Sequence, residues 1–167
     1  MDRKRWLTSI VLLLCTLVLC CGCTETTPGE PDPTATPIPH YEFQGIRAGM
    51  RWADAQAVFG APENTIREDG GQTTYTYPHF MVMTVTQGGQ ESVSVIRLRS
   101  DAMKTARGAV IGDTKEDVIK KEGKDYITDS QGRLVYTKQE TILRFLLDVD
   151  GMVYAIEYTL ISGGSYD

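Results

Sequence analysis

Apolar and polar residues along this chain change rhythm in an order that occurs twice. In GIRAGMRWADAQAVFG, residues 45–60, apolar positions fall at helical spacing, with Ala55, Val58 and Phe59 on one side. The residues after it switch to a period of two and are rich in β-branched and aromatic side chains. This predicts strands over 73–77, 80–86 and 93–99, with EDGGQ and QGGQ as turns. The second passage opens with GAVIGDTKEDVIKKEG, residues 108–123. There Thr114 stands three positions before Asp117, a start signal in which the hydroxyl accepts a backbone N–H, so a helix is expected over 115–122. Gly60 and Gly123 would close the two helices as left-handed caps. Alternation after DSQGR predicts strands over 134–138, 141–149 and 153–160, with DVDG as the last turn and short extra strands near Ile66 and Ile127.

Gly45, Gly49 and Gly60 are matched by Gly108, Gly112 and Gly123 at the same spacings of four and eleven residues. Asp54 matches Asp117, and VSVIRL aligns with VYAIEY without a gap. Such self-similarity predicts two tandem repeats, 43–100 and 105–160, inside a domain over 41–161 with a flexible tail at 162–167. Consecutive hairpins make neighbouring strands antiparallel. The expected fold class is α+β: two helix-then-antiparallel-strands repeats forming one continuous sheet with helices on one face.

A sheet with one wet face should hold its charges there. On that rule Ser94, Ile96, Leu98, Leu143, Phe145, Leu147 and Val149 point inward, as do Tyr154, Ile156, Tyr158 and Leu160. The outer face then carries Val93, Val95, Arg97, Arg99, Arg144, Glu157 and Thr159.

The first 40 residues follow neither rhythm. Arg3, Lys4 and Arg5 precede an uncharged, mostly apolar run of 14 residues, Trp6 to Leu19, and small residues then lead to Cys23. This is the layout of a secretory signal peptide over 1–22, and the run is shorter than the roughly 20 residues of a comfortable membrane span. Residues 24–40 hold five of the seven prolines among Thr, Glu and Asp, the composition of an extended stalk. An uncleaved membrane anchor, or a soft-metal site at Cys20, Cys21 and Cys23, are the competing readings of this end.

Composition narrows the chemistry. All four cysteines lie in the first 23 residues, so the later domain has no disulfide, thiolate metal site or cysteine nucleophile. The net charge is −5, and about −7 once residues 1–22 are set aside, with the basic residues scattered; nucleic acid is a poor partner for such a chain. No catalytic residue is assigned. His79 has no visible partner in sequence, and DVDG lacks the other ligands of a calcium loop, so no metal or cofactor is expected.

Two resemblances add to this reading. Gly22-Cys23 resembles the lipobox of bacterial lipoproteins, which implies that Cys23 becomes a diacylglyceryl-modified N-terminus holding the protein on a membrane, facing outside the cytoplasm. GIRAGMRWADAQAVFGAP resembles the signature of the family that includes the β-lactamase inhibitory protein and the SmpA/OmlA (BamE-like) small lipoproteins, although Arg51 replaces the signature threonine. That resemblance implies a non-enzymatic domain that binds an extracytoplasmic protein, as an inhibitor of an enzyme or as a structural accessory of an envelope assembly. Its sheet face would be the binding surface, here Val95, Arg97, Arg99, Arg144, Glu157 and Thr159.

Overall fold

The computed structural model describes residues 40–161. The signal peptide, Cys23, residues 24–39 of the stalk and the tail at 162–167 lie outside the described residues.

In chain order the elements are helix α1 (Trp52–Phe59), strands β1 (Asn64–Arg67), β2 (Gln72–Thr76), β3 (Phe80–Gln87) and β4 (Gln90–Leu98), helix α2 (Lys115–Glu122), and strands β5 (Ile127–Thr128), β6 (Leu134–Lys138), β7 (Thr141–Leu147) and β8 (Val153–Leu160). The strands form one sheet in the order β1-β2-β3-β4-β8-β7-β6-β5, and every pairing is antiparallel. Two short β-rich hairpin systems thus meet at the β4–β8 seam, where Val95, Ile96, Arg97 and Leu98 face Thr159, Tyr158, Glu157 and Ile156.

Register explains the core. Residues directly opposite in an antiparallel pair share a face, so Tyr75, Val82, Ile96, Tyr158, Leu143 and Tyr136 form one row across six strands. Phe80, Leu98, Ile156, Phe145 and Leu134 form the next row. All eleven are buried, in one cluster with Trp52 and Ala55 of α1 and Val118 of α2. Both helices therefore pack on this face.

The expectation of an α+β fold built from tandem helix-then-strands repeats is corrected by this arrangement. Regular structure is dominated by the eight-stranded antiparallel sheet, and the two helices have eight residues each. Helices of two turns are too short to be stable alone, since isolated helices below about 12–15 residues are marginal in water. They are attachments to the sheet, not a second layer of repeating units, and the ladder and the core both run unbroken across the chain's two halves.

Several side chains also change sides. Ser94 interrupts the β3–β4 register, with Met83 opposite Val95 but Thr84 opposite Val93, so Val93 turns into the core instead of outward. A second interruption lies between Leu146 and Leu147, where Ala155 and Val153 are the partners and Tyr154 is skipped. Tyr154 is accordingly exposed and Val153 buried, the reverse of strict alternation. Val149 is fully exposed because β7 ends at Leu147 and the chain turns there, with the Asp148 Oδ1 accepting from the N–H groups of Asp150 and Met152. On α1 the buried side is Trp52 and Ala55, and Val58 faces solvent. Gly60 and Gly123 do take positive φ, 77° and 104°, but with ψ near ±160–180°, an extended conformation open only to glycine and not the left-handed cap.

Candidate functional site

Across the sheet from the helices lies a second set of side chains. Met81, Arg97, Glu157, Arg144 and Val135 make one row, and Met83, Val95, Thr159, Ile142 and Thr137 the next. None of these belongs to the cluster that holds the helices. No described helix packs there.

The centre of this face is an ion cluster. Arg97 reaches Glu157 from β4 through both Nε, at 2.7 Å, and Nη2, while Arg144 Nη1 donates to the other carboxylate oxygen from β7 at 3.1 Å. Each oxygen of one carboxylate thus serves a different guanidinium. Glu157 is buried, and Arg144 nearly so, whereas Arg97 keeps 39% of its side chain in solvent. A buried carboxylate is tolerated only with its charge paired and its lone pairs met, and two arginines do this while leaving excess positive charge.

Of the six residues that sequence reasoning placed here, the structure brings Val95, Arg97, Arg144, Glu157 and Thr159 into two adjacent rows of one face. Arg99 follows the end of β4, exposed, with its backbone N–H bonded to the His79 carbonyl. Glu157 and Thr159 are buried and serve the face from within: the Thr159 hydroxyl donates to the Ser94 carbonyl at 3.3 Å. What remains for contact is Val95, Arg97 and Arg99, with Met81 and Met83 beside them. The signal that sequence reasoning missed is the sharing of Glu157, which alternation assigns to the face but not to a partner.

Other candidate chemistry disperses. The His79 ring takes part in no hydrogen bond or ion pair among the described residues, and no group of three or more His, Cys, Asp or Glu residues is close enough to hold a metal. Asp117, matched with Asp54 in sequence, completes a capping box with Thr114, whose hydroxyl and backbone bonds hold its carboxyl below the usual range.

A second polar group, not assembled by sequence reasoning, gathers on the core side where the domain begins. Glu122, the last residue of α2, is buried and accepts a hydrogen bond from the Thr105 hydroxyl. Burial raises its pKa, opposed by the Thr105 bond and by the charges of Arg107 and Lys138. A cavity of about 150 Å³ opens beside it, lined by Tyr41, Arg107, Lys138 and Tyr158 among others.

No family model matches the chain, and no curated protein matches it. Solved structures that share the fold include an extracellular protein containing an SCP domain from Bacillus anthracis str. Ames, at 13% identity and a TM-score of 0.51 over 82% of this chain and 49% of that one. A cysteine-rich secretory protein (SAV1118) from Staphylococcus aureus subsp. aureus Mu50 matches at 12% identity and a TM-score of 0.51, covering 74% of this chain and 48% of that one. The chain spans about half the length of each. A DUF4309 family protein (YjgB) from Bacillus subtilis matches more loosely, at 18% identity and a TM-score of 0.43 over 66% of this chain and 78% of that one. For the first two, at 12–13% identity, the likeness is one of fold.

Proposed function

We propose that the protein is an extracytoplasmic lipoprotein, anchored through Cys23, whose domain binds another protein with the outer face of its sheet. The location rests on the signal-peptide layout and on the occurrence of the fold in proteins described as extracellular and secretory. The binding role rests on one observation. The strand positions of the outer face carry Arg97, Arg144 and Glu157 as their only charges, and Arg99 follows, so a chain of net charge −5 presents a positive sheet face. Around those arginines are methionine, valine and threonine side chains, adaptable apolar surface of the kind that protein interfaces use. The partner would be acidic where it meets this face, and attraction of opposite charge would speed encounter and fix orientation.

The test is capture from membranes with a photo-crosslinker replacing Val95, compared with the same protein carrying Arg99→Glu, a change that leaves the Arg97, Glu157 and Arg144 cluster intact. One partner recovered by the first and lost from the second is the expected result. Equal recovery would remove the outer face from the reading. The anchor is tested separately by mass spectrometry of the mature N-terminus, where an intact Met1 would sink it.

A further inference from the structure

The polar cavity at the start of the domain has the marks of a built site, independent of the outer sheet face. Tyr158 is 2% exposed, and its hydroxyl has no hydrogen-bond partner in the structure. A buried, unmet hydroxyl is uncommon in native proteins and asks for an occupant. The His40 Nδ1 is likewise buried without a partner. Both residues line the cavity of about 150 Å³, together with Tyr41, Arg107, Glu122 and Lys138.

The wall selects a ligand class. Arg107 Nη1 donates to the Glu122 carbonyl, which fixes the guanidinium at the cavity and leaves its other N–H groups over. Lys138 Nζ sits 4.7 Å from the centre of the Tyr41 ring, so a cation already occupies that aromatic face. Against these two charges stands Glu122, whose burial favours the neutral carboxyl. A cationic ligand would meet two like charges. An apolar ligand would leave the Tyr158 hydroxyl unmet. We propose that this cavity binds a small carboxylate anion, seated between Lys138 and Arg107 and accepting a hydrogen bond from the Tyr158 hydroxyl. Cavities of about this volume hold a molecule the size of benzene, which limits the ligand to roughly four to six heavy atoms.

The other titratable groups near Glu122 sharpen the claim. The phenols of Tyr41, Tyr136 and Tyr158 all interact with Glu122 and all have raised pKa values, burial being the main cause, so they stay neutral at physiological pH. Asp125 acts on Tyr41, and Glu42 lines the cavity. Glu122 is the group whose ionisation opposes an anion most directly. Binding should therefore weaken as pH rises and Glu122 ionises, a transition that burial places above the ordinary 4.5.

The experiment is NMR titration of the ¹⁵N-labelled full chain in detergent micelles with sodium propionate, against sodium chloride at equal ionic strength. Saturable amide shifts at Tyr41, Arg107 and Glu122 are expected, about tenfold weaker in Tyr158→Phe, which removes one hydrogen bond and keeps the ring. Lys138→Met, a change at the half-buried cavity rim and outside the core cluster, should weaken binding by a similar factor and serves as the second variant should the first fold poorly. Shifts no different from those with chloride would show a cavity that holds water alone and would overturn the proposal. So would an affinity for propylammonium equal to that for propionate, or undiminished binding in both variants.

Discussion

The two helices dock on the same sheet face by opposite means. α1 is held by aromatic packing: Trp52 stacks on Tyr75 with ring centres 3.9 Å apart, and Phe59 lies against Phe43, Tyr77 and Phe80 at 4.9–6.2 Å. Its N-cap, Arg51, makes no side-chain capping bond. α2 buries Val118, sets half-buried Ile119 against the same core, and adds a larger set of polar contacts: the Thr114 and Asp117 capping box, Lys121 on Asp113 at 2.7 Å, and Glu122 between Thr105 and Arg107. The backbone around them is alike. Gly49 N–H bonds to the Val93 carbonyl and Gly112 N–H to the Val153 carbonyl, and the Tyr77 and Tyr136 hydroxyls donate to the carbonyls of Gly60 and Gly123. With the frame the same, the side chains decide whether a short helix is held by buried area, which pH and salt barely touch, or by hydrogen bonds and charges, which both can weaken.

Removing the aromatic anchor tests this most severely. Trp52→Ala deletes a buried side chain and the stack with Tyr75, and should cost about 3–5 kcal/mol in urea unfolding. Val118→Ala, the matching deletion on α2, should cost about 2 kcal/mol, because less surface is lost and the polar contacts remain. Equal costs would mean that α2 too is held mainly by packing.

The pH profile separates the junctions by where stability is lost. Glu122 has its folded pKa raised above the ordinary 4.5 by burial, so the native state holds its proton longer than the unfolded chain does. The unfolded state then binds fewer protons in the window above 4.5, and stability falls as pH rises through it. Glu122→Gln should flatten that limb while leaving the rest of the profile in place. A second fall belongs to both halves: Tyr75 on the α1 side and Tyr136 on the α2 side are each pushed up to about 12, by burial first, from 10.0. Above pH 10 the unfolded tyrosines release protons that the folded ones keep, so unfolding is favoured there in wild type and variant alike. A Glu122→Gln profile that keeps the first fall would move its source elsewhere.

What could be read from the sequence follows the same division between local and non-local causes. α2 spans Lys115–Glu122 as its capping signal predicts, because the cap is written within four residues. β6 and β8 likewise have the expected ends, set by turns beside them. Alternation failed at Val93 and Tyr154, where one strand carries an extra residue against its partner, and no single strand's sequence records its partner's register. The fold class is hidden for a related reason: helical periodicity marks where helices form but not that two eight-residue helices are minor attachments to an eight-stranded sheet. At the outer face, charge alternation located Arg97, Arg144 and Glu157 but not their sharing of one carboxylate. The cavity is not legible in the sequence, since His40, Glu122 and Tyr158 come from the last position of the stalk segment, a helix end and the last strand.

The capping difference gives a smaller and cleaner test. Thr114→Ala removes the hydroxyl that accepts from the Asp117 N–H at 3.1 Å, and should lower stability by about 1 kcal/mol. The converse change is more telling. Arg51 already has the backbone of a good N-cap, with φ −60° and ψ 137°, and an isolated bridge to Ser92 holds it there. Asp54 stands at the third helical position, where Asp117 stands in α2. Arg51→Thr therefore supplies the one missing part of a capping box without moving the chain, and should raise stability by about 0.5–1 kcal/mol in thermal unfolding. A gain of that size would show that α1 lacks a polar start only because its side chain omits one. No gain, with the Asp54 N–H exchanging as fast as before, would mean that packing around Trp52 fixes the first turn so firmly that a cap has nothing left to stabilise.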